Sequence, residues 1–207
     1  MSRHRRKFAF AVCLLLVLLL IVLDRVVQKT AFYQESPIVT LSPEASDLEK
    51  YNSKVFSVVK VVDGDTLDIN IPDANHNHTR IRLWGIDTPE TKKPNTPIMY
   101  FGPEASRFAT ESALGKNVKI FLDPNQKNRD KYRRLLAFVQ LADGNYLNEE
   151  LLMKGYAYAD TRFKHSYFQR YFKLESAARS NKIGLWKNVK PEQFPEWIQN
   201  QRPELSN

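Results

Sequence analysis

The chain has 207 residues, 43% hydrophobic and 26% charged, with one cysteine and a formal net charge of +8. That balance excludes an intrinsically disordered chain, which lacks the apolar residues to bury a core, and a lone Cys13 excludes an internal disulfide framework. The length suits one domain of ordinary size with an appendage.

Residues 1–27 begin with Arg3, Arg5, Arg6 and Lys7, then run sixteen uncharged residues from Phe8 to Leu23 before Asp24 and Arg25. Sixteen helical residues reach roughly 24 Å, and Val26 and Val27 extend the run toward the ~30 Å hydrocarbon core if Asp24 and Arg25 snorkel. The expectation is a single-pass transmembrane signal anchor. A cleaved and secreted form is the alternative, although no convincing small-x-small cleavage site lies between Val22 and Tyr33. The basic end stays cytoplasmic, so the bulk of the chain is expected on the extracytoplasmic side, joined to the membrane by this helix. Residues 1–25 hold +4 of the net charge and residues 54–186 a basic surplus of six, the stretch between them being acidic.

Residues 28–53, with Ser36-Pro37, Ser42-Pro43 and few aromatics, read as a linker. From residue 54 the pattern changes. Val55–Val62, Leu67–Ile71 and Thr79–Ile86 are β-branched and apolar, broken by Asp63-Gly64 and by Pro72–His78, which predicts a three-stranded antiparallel meander. Pro103–Leu114 reads as a helix with proline in its first turn. Val118–Leu122 and Leu135–Leu141 add two strands, the second followed by an Asp143-Gly144 turn. Leu147–Lys154 and Tyr167–Arg179 carry helical spacing. Residues 187–207 hold three basic and three acidic side chains with several prolines, and read as an irregular tail. The fold class is α+β, mainly a β barrel. Five strands and three helices in this order match the oligonucleotide-binding (OB) barrel, with other small barrels open on pattern alone.

Three short runs carry the chemistry: Asp63-Gly64-Asp65-Thr66, Arg82 to Glu90, and Asp130-Lys131-Tyr132-Arg133-Arg134. Asp65 and Asp87 stand at the two ends of the predicted hairpin centred on His76, where a regular ladder would bring them together. Two carboxylates side by side call for a cation, and oxygen donors suit calcium or magnesium rather than zinc. Glu90 is the candidate general base or water orienter. Arg82 and Arg134 offer planar forks for a phosphate whose charge grows in the transition state. Lys131 and Tyr132 are candidate substrate contacts, a cation and a ring on which a base can stack. Each piece alone has an ordinary explanation as turn, strand exit or surface charge; the weight lies in the set. His76, His78 and His165 receive no role, solvated histidines being the better reading of a polar turn.

In these residues the chain resembles the thermonuclease family, the secreted staphylococcal-type nucleases. The resemblance spans about Val55 to Trp186 and includes Asp87-Thr88-Pro89-Glu90-Thr91-Lys92, Tyr100-Phe101-Gly102-Pro103, Asp130-Lys131-Tyr132-x-Arg134 and Gly184-Leu185-Trp186. It implies a five-stranded OB barrel and calcium-dependent hydrolysis of DNA and RNA, leaving 3′-phosphate ends. It further implies Ca2+ held by Asp65, Asp87 and the carbonyl of Thr88, with Glu90 as base or water-positioning group, Arg82 and Arg134 as phosphate clamps, and Asp63 as an orienting neighbour. Position 133 departs from the family in being Arg where Gly is frequent. Tyr158 is a candidate base contact. The domain is expected over 54–186 and to act as a monomer with no obligate protein partner. A non-catalytic nucleic-acid- or protein-binding module is the alternative, disfavoured because all five ionic side chains are present.

Overall fold

The computed structural model describes residues 16, 18–25, 43–92 and 97–205. Two compact units divide the chain, residues 1–41 and 42–207. The membrane expectation is corrected here. Among the described residues no helix is long and apolar enough to cross a membrane. The transmembrane helix, the membrane partner and the single-pass extracytoplasmic placement are therefore withdrawn. The rest of the expected anchor and much of the linker lie outside the described residues.

In the second unit, alternation of apolar and polar side chains sets the strands. β1 (Lys54–Val61) pairs antiparallel with β2 (Thr66–Ile69), and β2 with β3 (Thr79–Leu83), giving the expected meander. β5 (Asn117–Phe121) and β6 (Leu135–Gln140) pair with each other; β5 returns to β1, and β6 lies parallel to β3. The five strands close a barrel in the order β1-β2-β3-β6-β5. Its interior is filled by Val58, Leu67, Ile69, Ile81, Leu83, Val118, Ile120, Leu135, Ala137 and Val139, all buried. A separate two-residue pair, β4 (Ile86–Asp87) with β7 (Tyr158–Ala159), stands beside the barrel.

Helices cover the barrel much as the sequence predicts. In α2 (Gly102–Ala113), Ala105, Ala109 and Ala113 form a buried stripe at a spacing of four, small enough for close approach. α3 (Leu147–Met153) buries Leu147, Leu151 and Leu152, and α4 (Phe168–Ser180) buries Tyr171, Glu175 and Ala178. Two elements depart from the sequence reading. Pro43–Tyr51, read as part of the linker, is a helix (α1) whose Tyr51 is fully buried and whose Asp47 pairs with Arg129. With only Ala45, Leu48 and Tyr51 as apolar positions, nine residues carry little periodic signal. In place of an irregular tail, the described residues after 186 include α5 (Glu196–Gln201), with Ile198 buried.

Candidate active site

The site is built where β2 begins. Asp63 closes a tight turn by accepting the Asp65 N–H at 3.2 Å, which swings the Asp65 side chain toward the segment leaving β4. There the Thr88 N–H donates to Asp65 Oδ2 at 2.8 Å and the Thr88 hydroxyl to the same oxygen at 3.1 Å. Thr66 donates to Asp65 Oδ1 at 3.1 Å. Gly64 makes this approach possible: a Cβ there would stand 2.8 Å from the Thr88 side chain. Arg82 on β3 then bridges the carboxylates, Nη1 to Asp65 Oδ2 at 2.9 Å and Nη2 to Asp87 Oδ1 at 2.6 Å.

Asp65 and Asp87 do meet, by a route different from the expected one. The β2–β3 register pairs Thr66 with Arg82, so the residue opposite Asp65 is Leu83, whose N–H donates to the Asp65 carbonyl at 2.8 Å. Asp87 lies four residues further on. A sharp turn at Trp84-Gly85 carries the chain there, with Gly85 at φ +78 and a Cβ at that point only 2.3 Å from His165 Nε2. Asn148, fully buried on α3, pins this turn by donating to the Trp84 carbonyl at 3.0 Å while accepting the Val139 N–H at 3.0 Å. β4 launches from that fixed point.

The electrostatics are those of crowded acids. Burial, then the charge of Asp65, pushes Asp63 up to about 7. Burial, with Asp65 and Asp160 nearby, pushes Asp87 up to about 6 despite Arg82 and Arg162. Arg82 is raised although burial opposes it, because Asp65, Asp87, Asp160 and Asp63 surround it. Two guanidiniums, Arg82 and Arg162, thus face four aspartates. Among the described residues no three acidic, histidine or cysteine side chains are grouped closely enough to hold a metal ion. Asp65 and Asp87 offer hard oxygen donors, the chemistry that suits a hard cation such as calcium.

The other predicted residues line the same cleft, of about 1330 Å3. Glu90 is turned by two backbone donors, its Oε1 accepting the N–H of Thr91 at 2.9 Å and of Lys92 at 2.7 Å. Arg134 is steadied by Asp130, Nε to Oδ2 at 2.7 Å. Tyr132 is 67% exposed, with the ammonium of Lys131 5.0 Å and the guanidinium of Arg134 5.4 Å from its ring centroid. Tyr158, by contrast, is fully buried against Trp186 and Phe194, which corrects its reading as a base contact. His76 and His78 are exposed, whereas His165 is buried among rings, and burial pushes it down to about 4.

Three residues at the site were not found from sequence. Arg162 is held by Asp160 through two bonds of 2.8 Å and stands 3.6 Å from Asp87 Oδ1. Trp197 donates its indole N–H to Asp87 Oδ2 at 2.8 Å. All three follow Gly155, where the sequence offered no motif with a role.

Residues 80–188 match the family model described as staphylococcal nuclease homologue. A thermonuclease of Staphylococcus hyicus is 34% identical over 146 residues, covering 70% of this chain and 83% of the relative. The chain belongs to the staphylococcal nuclease family. Two Bacillus subtilis proteins extend the likeness: endonuclease YncB, 33% identical over 66% of this chain and 64% of its own length, and the SPbeta prophage-derived endonuclease YokF, 36% identical over 61% and 42%. Membership in this family makes the chain a nuclease, a hydrolase of nucleic acid, and the closed barrel is the family's OB-type fold.

Proposed function

We propose that the chain is a calcium-dependent endonuclease that hydrolyses phosphodiesters of both DNA and RNA and leaves 3′-phosphate ends, with its catalytic module over 54–186, acting as a monomer. The observation that carries this reading is the Arg82 bridge between Asp65 and Asp87, a buried, acid-rich cluster opening on a cleft with a second arginine, Arg134. In this reading Asp65, Asp87 and the Thr88 carbonyl hold calcium, which supplies positive charge to the phosphodiester being cut.

The chain's own groups do the rest. Glu90, fixed by the Thr91 and Lys92 amides, takes a proton from a water as that water's oxygen bonds to phosphorus. The P–O5′ bond breaks, the phosphate stays on the 3′ oxygen, and the departing 5′ oxygen takes up a proton from solvent. Arg82 and Arg134 donate to phosphate oxygens as their charge grows. Tyr132 offers an exposed ring to a base, and Lys131 pairs with a neighbouring phosphate.

The test is a cleavage assay of the purified full chain on single-stranded DNA and RNA, with calcium titrated and then chelated, followed by end analysis. Cleavage should require calcium and leave termini that a phosphatase must treat before 3′ extension. Cleavage that persists under chelation would remove calcium from the reading; termini extendable without phosphatase would reverse the assigned leaving group.

A further inference from the structure

The chain continues beyond the segment that matches the family model, and it returns to the cleft. Glu192, Gln193, Phe194, Pro195, Glu196 and Trp197 form part of the cleft wall. This return is anchored further on by Arg202, whose Nη1 and Nη2 bond the two oxygens of Glu175 on α4 at 2.8 and 2.7 Å. Both side chains are buried, 4% and 0% exposed. Glu175 also accepts the Ala159 N–H of β7 at 3.3 Å, and β7 is the partner strand of β4. Between anchor and cleft, Phe194 and Ile198 bury against Tyr158, Leu185 and Trp186. The segment therefore arrives at Asp87 from a fixed base.

There the geometry is specific. The Trp197 N–H takes Asp87 Oδ2 at 2.8 Å while Arg82 takes Oδ1 at 2.6 Å. The guanidinium of Arg162 lies 4.5 Å from the indole centroid, locked in turn by Asp160. A carboxylate gripped at both oxygens cannot turn about its Cβ–Cγ bond. An indole N–H is also neutral, so it orients the carboxylate without placing a further positive charge beside it, as lysine or arginine there would.

We propose that Trp197 is a positioning residue of the nuclease: its N–H holds Asp87 in the orientation that calcium binding and cleavage require, and the Arg202–Glu175 pair fixes the segment that delivers it. This rests on Asp87 being a calcium ligand. Groups that steady a metal-binding carboxylate from behind are worth about 10–100-fold in metal affinity or activity.

The test uses the full chain and Trp197→Phe, which keeps an aromatic ring beside Arg162 and removes the N–H. Calcium affinity is read by calorimetry, and kcat and KM on single-stranded DNA at saturating calcium. Calcium affinity should fall about tenfold or more and kcat should fall, with KM for DNA within about twofold. Trp186→Phe is the control, because the Trp186 indole N–H, in the same apolar cluster, makes no hydrogen bond among the described residues. It should keep wild-type calcium affinity and kcat whatever it does to Tm. Trp197→Phe with unchanged calcium affinity and kcat, or equal losses in both variants, overturns the proposal. A wild-type chain that binds no calcium overturns the reading of the site itself, and this assignment with it.

Discussion

Arg129 and Arg82 each bridge a pair of aspartates, and their surroundings make them opposites. Arg129 holds Asp47 of α1 through Nε and Nη2 at 2.8 and 2.6 Å, and Asp73 of the β2–β3 turn as well. Lys50 adds a second cation beside Asp73. Two cations then meet two acids, and although burial opposes it, Arg129 holds the Asp73 carboxyl below its ordinary range. Around Arg82 the two cations meet four acids, and Asp63 and Asp87 are pushed up to about 7 and about 6. The same motif sits in a balanced latch in one place and in a cluster with more acids than cations in the other. What separates them is the neighbours, not the bridge.

The comparison breaks most visibly at the arginines themselves. Arg82→Ala should lower kcat about 10²–10³-fold at saturating calcium and substrate, the scale of losing one transition-state donor. Single-turnover rates near wild type would make Arg82 another latch. Arg129→Ala should instead cost about 2–3 kcal/mol of stability by urea unfolding, since it strands two partly buried carboxylates, with kcat within about twofold of wild type. A large loss of kcat at unchanged stability would erase the distinction.

A smaller effect comes from His165, which presses on the Gly85 turn that launches Asp87. Its Nδ1 accepts the Tyr167 N–H at 3.2 Å, so the folded state holds it neutral. The unfolded chain takes up a proton near its ordinary value and the folded chain only at about 4, so stability should fall as pH drops through that window. The loss relative to His165→Gln should approach about 2 kcal/mol, and parallel pH profiles for the two proteins would refute it. The smallest effect lies on the latch side. Arg133, whose carbonyl accepts from Arg129 at 3.0 Å, sits at φ +67, the left-handed region that favours glycine. Arg133→Gly should raise stability by less than about 1 kcal/mol in thermal unfolding, the strain relief being partly offset by unfolded-state entropy.

Most of the barrel was legible because strand periodicity and turn residues agree along residues 54–141, and Asp65, Arg82 and Asp87 were legible because motifs flank them. The route joining the two aspartates was not. Hairpin symmetry assumes one regular ladder, whereas the Trp84-Gly85 turn ends β3 and starts a new pair, an outcome fixed by contacts to His165 and Asn148 that no local pattern encodes. Trp197 and Arg162 escaped for a related reason: their partners lie 110 and 75 residues back along the chain. The apolar N-terminal run showed the reverse failing, since composition alone spoke for a membrane-crossing helix that is not found among the described residues.

The parallel pairing of β3 with β6 carries one further consequence, for when the enzyme becomes active. Arg82 and Arg134 reach neighbouring strands only because Ile81 sits beside Leu135 and Arg82 beside Leu136, a contact across more than fifty residues of chain. Such pairings form late, since the intervening loop must be closed before any contact rewards it. A chain caught before that step has Arg134 on a separate piece from Arg82 and the two aspartates it bridges. In refolding experiments, cleavage should return with the slowest phase of barrel formation, so closure of the fold itself decides when the molecule becomes able to cut.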